Sequence, residues 1–219
     1  MAKQKRGTRS FHFDAPPILT AWASVAGKKE SEGPLQAYFD YTNGDTYFGE
    51  KTWEKAECHM QEIALETLLQ KAGKKQKDVD LVFSGDLLNQ CISSSFSLRN
   101  TGLPALGLYG ACSTMAESLL LASMAVSGGF ADRAVAMTSS HFASSERQYR
   151  YPLGYGGQRT PTAQWTATAA GCCVVGRGSR GPYVTGATAG RIVDLGIKDA
   201  NNMGAAMAPA AVDTLERHF

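Results

Sequence analysis

Apolar and polar positions along the chain follow two periods in turn. In "PPILTAWASVAG" an apolar run from about Ile18 to Val25, set between a proline pair and a glycine, predicts a first strand. The following "KKESEGPLQAYFDYTNGDTYFGEK" carries Gly-Pro and Asn-Gly turn signals and predicts a loop. From about Thr52 to Ala72 the period changes. Trp53, Ala56, Met60, Ile63, Ala64 and Leu68 recur at three- and four-residue steps, which predicts one face of a helix, and Gly73 ends it.

"DVDLVFSGD" then predicts a strand, "LLNQCISSSFSLRNTG" a weaker helix closed by Gly102, and "ALGLYGAC" a third strand. "STMAESLLLASMAVSGG" predicts a helix whose small residues Ala116, Ser118, Ala122, Ser123 and Ala125 suit close packing. "RAVAMTSSH" predicts a fourth strand. A long polar segment, "FASSERQYRYPLGYGGQRTPTAQ", separates it from the apolar "WTATAAGCCVVG", and "GPYVTGATAGRIVDLG" reads as a further strand. Strands alternating with helices predict an α/β fold with a mostly parallel central sheet and helices on both faces. In such sheets the site lies outside the carboxyl ends of the strands. Ser84 to Asp86, Gly110 to Thr114 and Ser139 to His141 all fall there.

Composition narrows the class. The 219 residues are 43% hydrophobic and 19% charged, with a formal net charge of +2. No strong field favours nucleic acid. The basic start, with Lys3, Lys5, Arg6 and Arg9, reads as a flexible tail over residues 1–12, or as a contact for anionic lipid heads. It does not run into an apolar stretch, so no signal peptide is expected, and the apolar run Leu119 to Val126 is too short to span a bilayer. The cysteines, Cys58, Cys91, Cys112, Cys172 and Cys173, are odd in number without CxxC spacing, and predict free thiols with no zinc site.

Cys112 is the chemical centre of the pattern. Between a strand and a buried helix, its thiol stands where unpaired N–H groups stabilise a thiolate or hold an anionic ligand. It is also a small residue of the kind a tight turn needs. A nucleophile needs a base, and His141, at the next strand end, is the candidate. Arg147 and Arg150 can grip a carboxylate bidentately, or pair locally with Glu146. Arg191, among small residues on the expected last strand, is expected partly buried and in need of an anionic partner, with Asp194 on the opposite face. "GYGGQ" lacks phosphate-loop spacing, and no cluster supports a metal.

The Gly-Ala-Cys-Ser-Thr turn before a buried helix resembles the cysteine turn of the thiolase superfamily. "GPLQAYFD", "FSGDLLNQ", "LYGACSTMAES", "TSSHFASSERQYRYPLGYGGQ" and "GRIVDLGIKDANNMGAAMAPAAVDT" together resemble the stage V sporulation protein AD family of endospore-forming bacteria. The resemblance implies a thiolase-like fold of two related halves, residues 13–180 forming the first and 181–219 beginning the second. The second half, which in the family supplies histidine and asparagine-type groups, has only begun where the sequence stops at "LERHF". The resemblance implies a non-catalytic binder of dipicolinic acid (pyridine-2,6-dicarboxylate), alone or as its calcium chelate, serving uptake into the developing spore without a cofactor. It places Cys112, His141, Arg147, Arg150 and Arg191 as candidates for the ligand. The implied partners are other stage V sporulation proteins of the spore inner membrane. The protein would be peripheral on that membrane, at the cytoplasmic side of the forespore, and a homodimer at full length. The alternative is a thiolase-like acyltransferase of the ketoacyl synthase type, with Cys112 as nucleophile.

Overall fold

The two periods of the sequence become two kinds of element in the computed structural model, which describes residues 5–149, 166–199 and 202–219, with 146–149 by backbone only. In chain order these are β1 (Lys5–Arg6), β2 (Ser10–His12), β3 (Ile18–Ala26), α1 (Lys28–Ser31), β4 (Tyr41–Thr42), α2 (Trp53–Ala72), β5 (Leu81–Gly85), α3 (Ile92–Leu98), β6 (Ala105–Leu108), α4 (Thr114–Ser127), β7 (Arg133–Ser140), α5 (Phe142–Tyr149), β8 (Ala169–Gly176), β9 (Gly186–Thr188) and α6 (Met203–His218).

The main sheet has the order β4-β3-β8-β7-β5-β6. Three of its five pairings are parallel, β3 with β4 and β5 with both β6 and β7. β8 runs antiparallel to β3 and β7, so the expected mostly parallel sheet holds with one reversed strand inside it. Successive side chains on a strand face opposite ways. On β7, Val135 and Met137 join the core under α2, while Ala134 and Ala136 join the core under α4. Helices therefore cover both faces, which explains why these strands read as continuous apolar runs.

Both ends of α2 follow from its sequence. The Thr52 hydroxyl accepts from the Lys55 N–H at 3.3 Å, and Gly73 closes the helix at φ 61°, the left-handed cap that glycine adopts without a Cβ clash. Its apolar stripe of Ala56, Met60, Ala64, Leu65 and Leu68 packs on Ala23, Val25, Val135, Cys172 and Val174. Burying a side chain such as Leu68 contributes about 1.5–3 kcal/mol.

Three expectations are corrected. The helix expected after β5 is shorter, spanning Ile92–Leu98, because the Asp86 carboxylate captures the Leu88 N–H at 2.8 Å and Gln90 and Cys91 take left-handed backbones. The basic tail is ordered from Lys5: β1 and β2 form a hairpin, and β2 pairs antiparallel with β9 in a separate three-stranded sheet. The last predicted strand shrinks to Gly186–Thr188, paired with Ser10 to His12, while Tyr183 makes only an isolated bridge to Ile18. Residues 1–4 lie outside the described residues.

Candidate functional site

Because β5, β6 and β7 are parallel, their carboxyl ends share one edge, with Gly85 registered against Leu108 on one side and Thr138 on the other. The three stretches singled out in the sequence therefore converge. A Cβ on Gly85 would run into the Leu108 carbonyl and the Thr114 methyl group, so the close approach of β5 to the Cys112 turn requires glycine there.

Cys112 sits in a 3-10 turn, Ala111–Ser113, directly before α4. Hydroxyls hold that turn. Thr114 donates to the Ala111 carbonyl at 2.8 Å and accepts from the Gly110 N–H at 3.1 Å, while Ser113 donates to the Gly110 carbonyl at 2.7 Å. Ala111 is forced to φ 49°, a left-handed backbone that costs a residue with a Cβ about 1–2 kcal/mol. The thiol is exposed and unbonded to another cysteine. It lines a cavity of about 520 Å³ whose walls also include Val25, Met115, Thr138, Ser139, Ser140, Ala170 and Met203. Apolar walls with a few hydroxyls are the usual make-up of a small-molecule site, and this volume lies within the usual range.

His141 is fully buried and belongs to the scaffold. Its Nδ1 accepts from the Ala143 N–H at 3.2 Å, which places the ring proton on Nε2, and Nε2 donates to the Thr46 carbonyl at 2.8 Å. Burial pushes its pKa down, against a smaller opposing effect of the Thr46 bond and of Glu30. Both nitrogens are spent within the fold, and His141 is not part of the cavity wall.

Arg191 departs most from expectation. It lies beyond β9 with no regular structure, its side chain is 65% exposed, and its Nη2 pairs with Asp213 of α6 at 2.9 Å. The other oxygen of Asp213 holds Arg9 at 2.7 Å. That Arg9 bond, with Arg191 beside it, holds the Asp213 carboxyl below its ordinary range. The partner expected to be a ligand or a core carboxylate is thus a surface aspartate joining the chain's two ends. The Arg147 side chain and the whole of Arg150 lie outside the described residues.

A buried polar network behind the cavity is absent from the expectations. Glu57 and Gln61, both fully buried on α2, anchor it. Glu57 accepts from the Ser139 hydroxyl at 2.8 Å and from the Ser144 hydroxyl at 2.7 Å. The Gln61 amide donates to Ser139 at 2.7 Å and to Ser94 at 3.2 Å, and its oxygen accepts from Ser97 at 2.7 Å. Ser94 in turn donates to Asp86 at 2.7 Å. Burial pushes the Glu57 carboxyl up to about 7, the two serine bonds opposing and Asp86 adding to the rise. The signal lay in the sequence: positions 57 and 61 fall on the same helical face as Ala64 and Leu68, where charged and amide side chains are costly. Among the described residues no His, Cys, Asp and Glu cluster could hold a metal ion, and no helix is long and apolar enough to cross a membrane.

Comparison with known proteins defines the family. The model of stage V sporulation protein AD matches residues 7–219. The stage V sporulation protein AD of Bacillus subtilis (strain 168) is 44% identical over 213 residues, covering 97% of this chain and 63% of that protein. The chain belongs to the stage V sporulation protein AD family, and so to the proteins of sporulation. It spans less than two thirds of the length of that relative. Among solved structures it is similar to the 3-oxoacyl-[acyl-carrier-protein] synthase III of Aquifex aeolicus VF5, with 15% identity, TM-score 0.49, and 75% and 55% of the two chains covered. It is similar also to the priming β-ketosynthase of the R1128 polyketide pathway, with 15% identity, TM-score 0.48, and 81% and 53% covered.

Proposed function

We propose that this protein binds dipicolinate without transforming it, in the cavity beside Cys112, and serves dipicolinate uptake into the developing spore. The observation that carries the reading is the cavity itself, at the shared carboxyl edge of three parallel strands in a chain of this sporulation family. A planar ring with two carboxylates needs apolar walls for the ring and donors at its rim. Val25, Met115 and Ala170 supply the first, and the Thr138 hydroxyl belongs to the second. Arg147 and Arg150 remain candidates for the carboxylates from the family resemblance alone, since the Arg147 side chain and the whole of Arg150 lie outside the described residues. His141 and Arg191 are left out of the ligand set, because both ring nitrogens of His141 are bonded within the fold and Arg191 is drawn to Asp213 of α6. A binder is favoured over an acyltransferase because the histidine expected to activate Cys112 has no free nitrogen. In this reading the protein works on the cytoplasmic side of the forespore, peripheral on the spore inner membrane beside other stage V sporulation proteins.

Calorimetry with dipicolinate tests the site. Cys112→Trp fills the cavity from its wall and is expected to abolish saturable binding while the circular dichroism spectrum is kept. Unchanged affinity in that variant would place the ligand elsewhere.

A further inference from the structure

We infer that ligand binding in the Cys112 cavity is linked to proton uptake by Glu57, so that the protein holds its anionic ligand more tightly when this buried carboxyl is neutral. The inference rests on placing the ligand in that cavity. Ser139 joins the two sites: it lines the cavity and donates its hydroxyl to Glu57 at 2.8 Å. One residue of β7 therefore separates a bound carboxylate from a carboxyl that water does not reach. Like charges so placed repel strongly, since little solvent lies between them. Linkage is reciprocal: an anion that favours neutral Glu57 is itself favoured by it.

The fold is already fitted for both protonation states. Ionised Glu57 accepts from Ser139 and Ser144. The Ser144 hydroxyl has a second acceptor within reach, the His141 carbonyl at 3.3 Å. When a proton from solvent joins Oε2 of Glu57, that O–H donates to Ser144 Oγ, and the Ser144 hydroxyl turns to His141. No buried donor loses its acceptor, which makes the neutral form cheap. Its ordinary range lies well below neutrality, but burial brings Glu57 to about 7, where the two forms interconvert.

Among the described residues, the charged neighbour that acts on Glu57 is Asp86, at the end of β5, and it raises the same tendency. His141, ahead of α5, is buried, and its ring accepts at Nδ1 from the Ala143 N–H and donates at Nε2 to the Thr46 carbonyl, the bonding of a neutral imidazole. α3 presents serines, and β3 and β8 present apolar side chains and the Cys172 thiol, which burial pushes far up. On α2 itself, Cys58 is pushed up to about 11.

Calorimetric titration of the protein with dipicolinate, in two buffers of different ionisation enthalpy, measures the proton directly. Between pH 6 and about 8.5 both ligand carboxylates stay ionised. The expected result is net proton uptake at pH 8, and affinity roughly threefold or more weaker at pH 8.5 than at pH 6. Glu57→Gln, which reproduces the neutral hydrogen bonding, should remove the uptake and flatten the profile. Ser144→Ala removes a donor to the ionised form and should move the loss of affinity to higher pH. Binding that keeps the same uptake in Glu57→Gln overturns this inference and leaves the site intact. The absence of binding at every pH overturns the site and this inference with it.

Discussion

Glu57 shows at the residue scale how a fold tolerates a costly group. A buried carboxylate is expensive unless its oxygens are bonded, and both are, to Ser139 and Ser144. The cost that remains appears as a pKa of about 7 in place of 4.5. Between those values the folded state binds more protons than the unfolded chain, so the contribution is fully present below pH 4.5 and is lost as pH rises to about 7. The span amounts to about 3 kcal/mol. Thermal melts of Glu57→Gln should therefore lack this part of the decline with pH, and at pH 8 the variant should melt above the parent. A parent and variant that decline in parallel from pH 5 to 8 would contradict the assignment. Glu57 was legible as a polar residue on an apolar face. Its partners were not, because Ser139 and Ser144 lie 82 and 87 positions away and meet it only when α2 docks on β7. His141 was legible as a strand-end residue for the same reason that its role was not: the carbonyl that engages it belongs to Thr46, in the loop before α2.

At the scale of elements, α2 carries the larger core. Its stripe crosses β3, β8 and β7, and Leu68 is wholly buried against them. Leu68→Ala should lower stability by about 2–5 kcal/mol in chemical denaturation, the range for a large core side chain replaced by alanine. A loss below about 1 kcal/mol would mean that this face is not packed as described. Long elements with a complete period were readable from sequence, as β3, α2, α4 and β7 show. Short elements that exist only through a partner were not. β9 needs β2, which the basic composition of the first residues disguised as a tail. With β9 reduced to three residues, Arg191 falls outside any strand, and the face on which its side chain would lie lost its meaning.

At the scale of the whole molecule, several large apolar side chains stand exposed on the surface. Trp22, Phe130, Ile192, Leu195, Leu215 and Phe219 are exposed, from 55% for Trp22 to 99% for Phe219. The relative in Bacillus subtilis is longer than this chain, which spans 63% of it. β6 is a separate case: it is an edge strand with Leu106 exposed beside Ile92 and Phe96 of α3. An uncovered edge strand with apolar neighbours invites pairing, and a two-fold axis would set β6 against its own copy. Sedimentation should give a dimer at micromolar concentration, and Leu106→Lys, which sets like charges across that axis, should give a monomer. A parent that sediments as a monomer would contradict this.

The proposed dipicolinate site lies at the edge where Cys112 and the ends of β5, β6 and β7 meet. Its most direct measurement is the calorimetric affinity of dipicolinate for the parent and for Cys112→Trp at one pH below 7. Saturable binding at one site is expected in the parent and none in the folded variant. Equal affinity in the two proteins, or no heat with the parent, would contradict it.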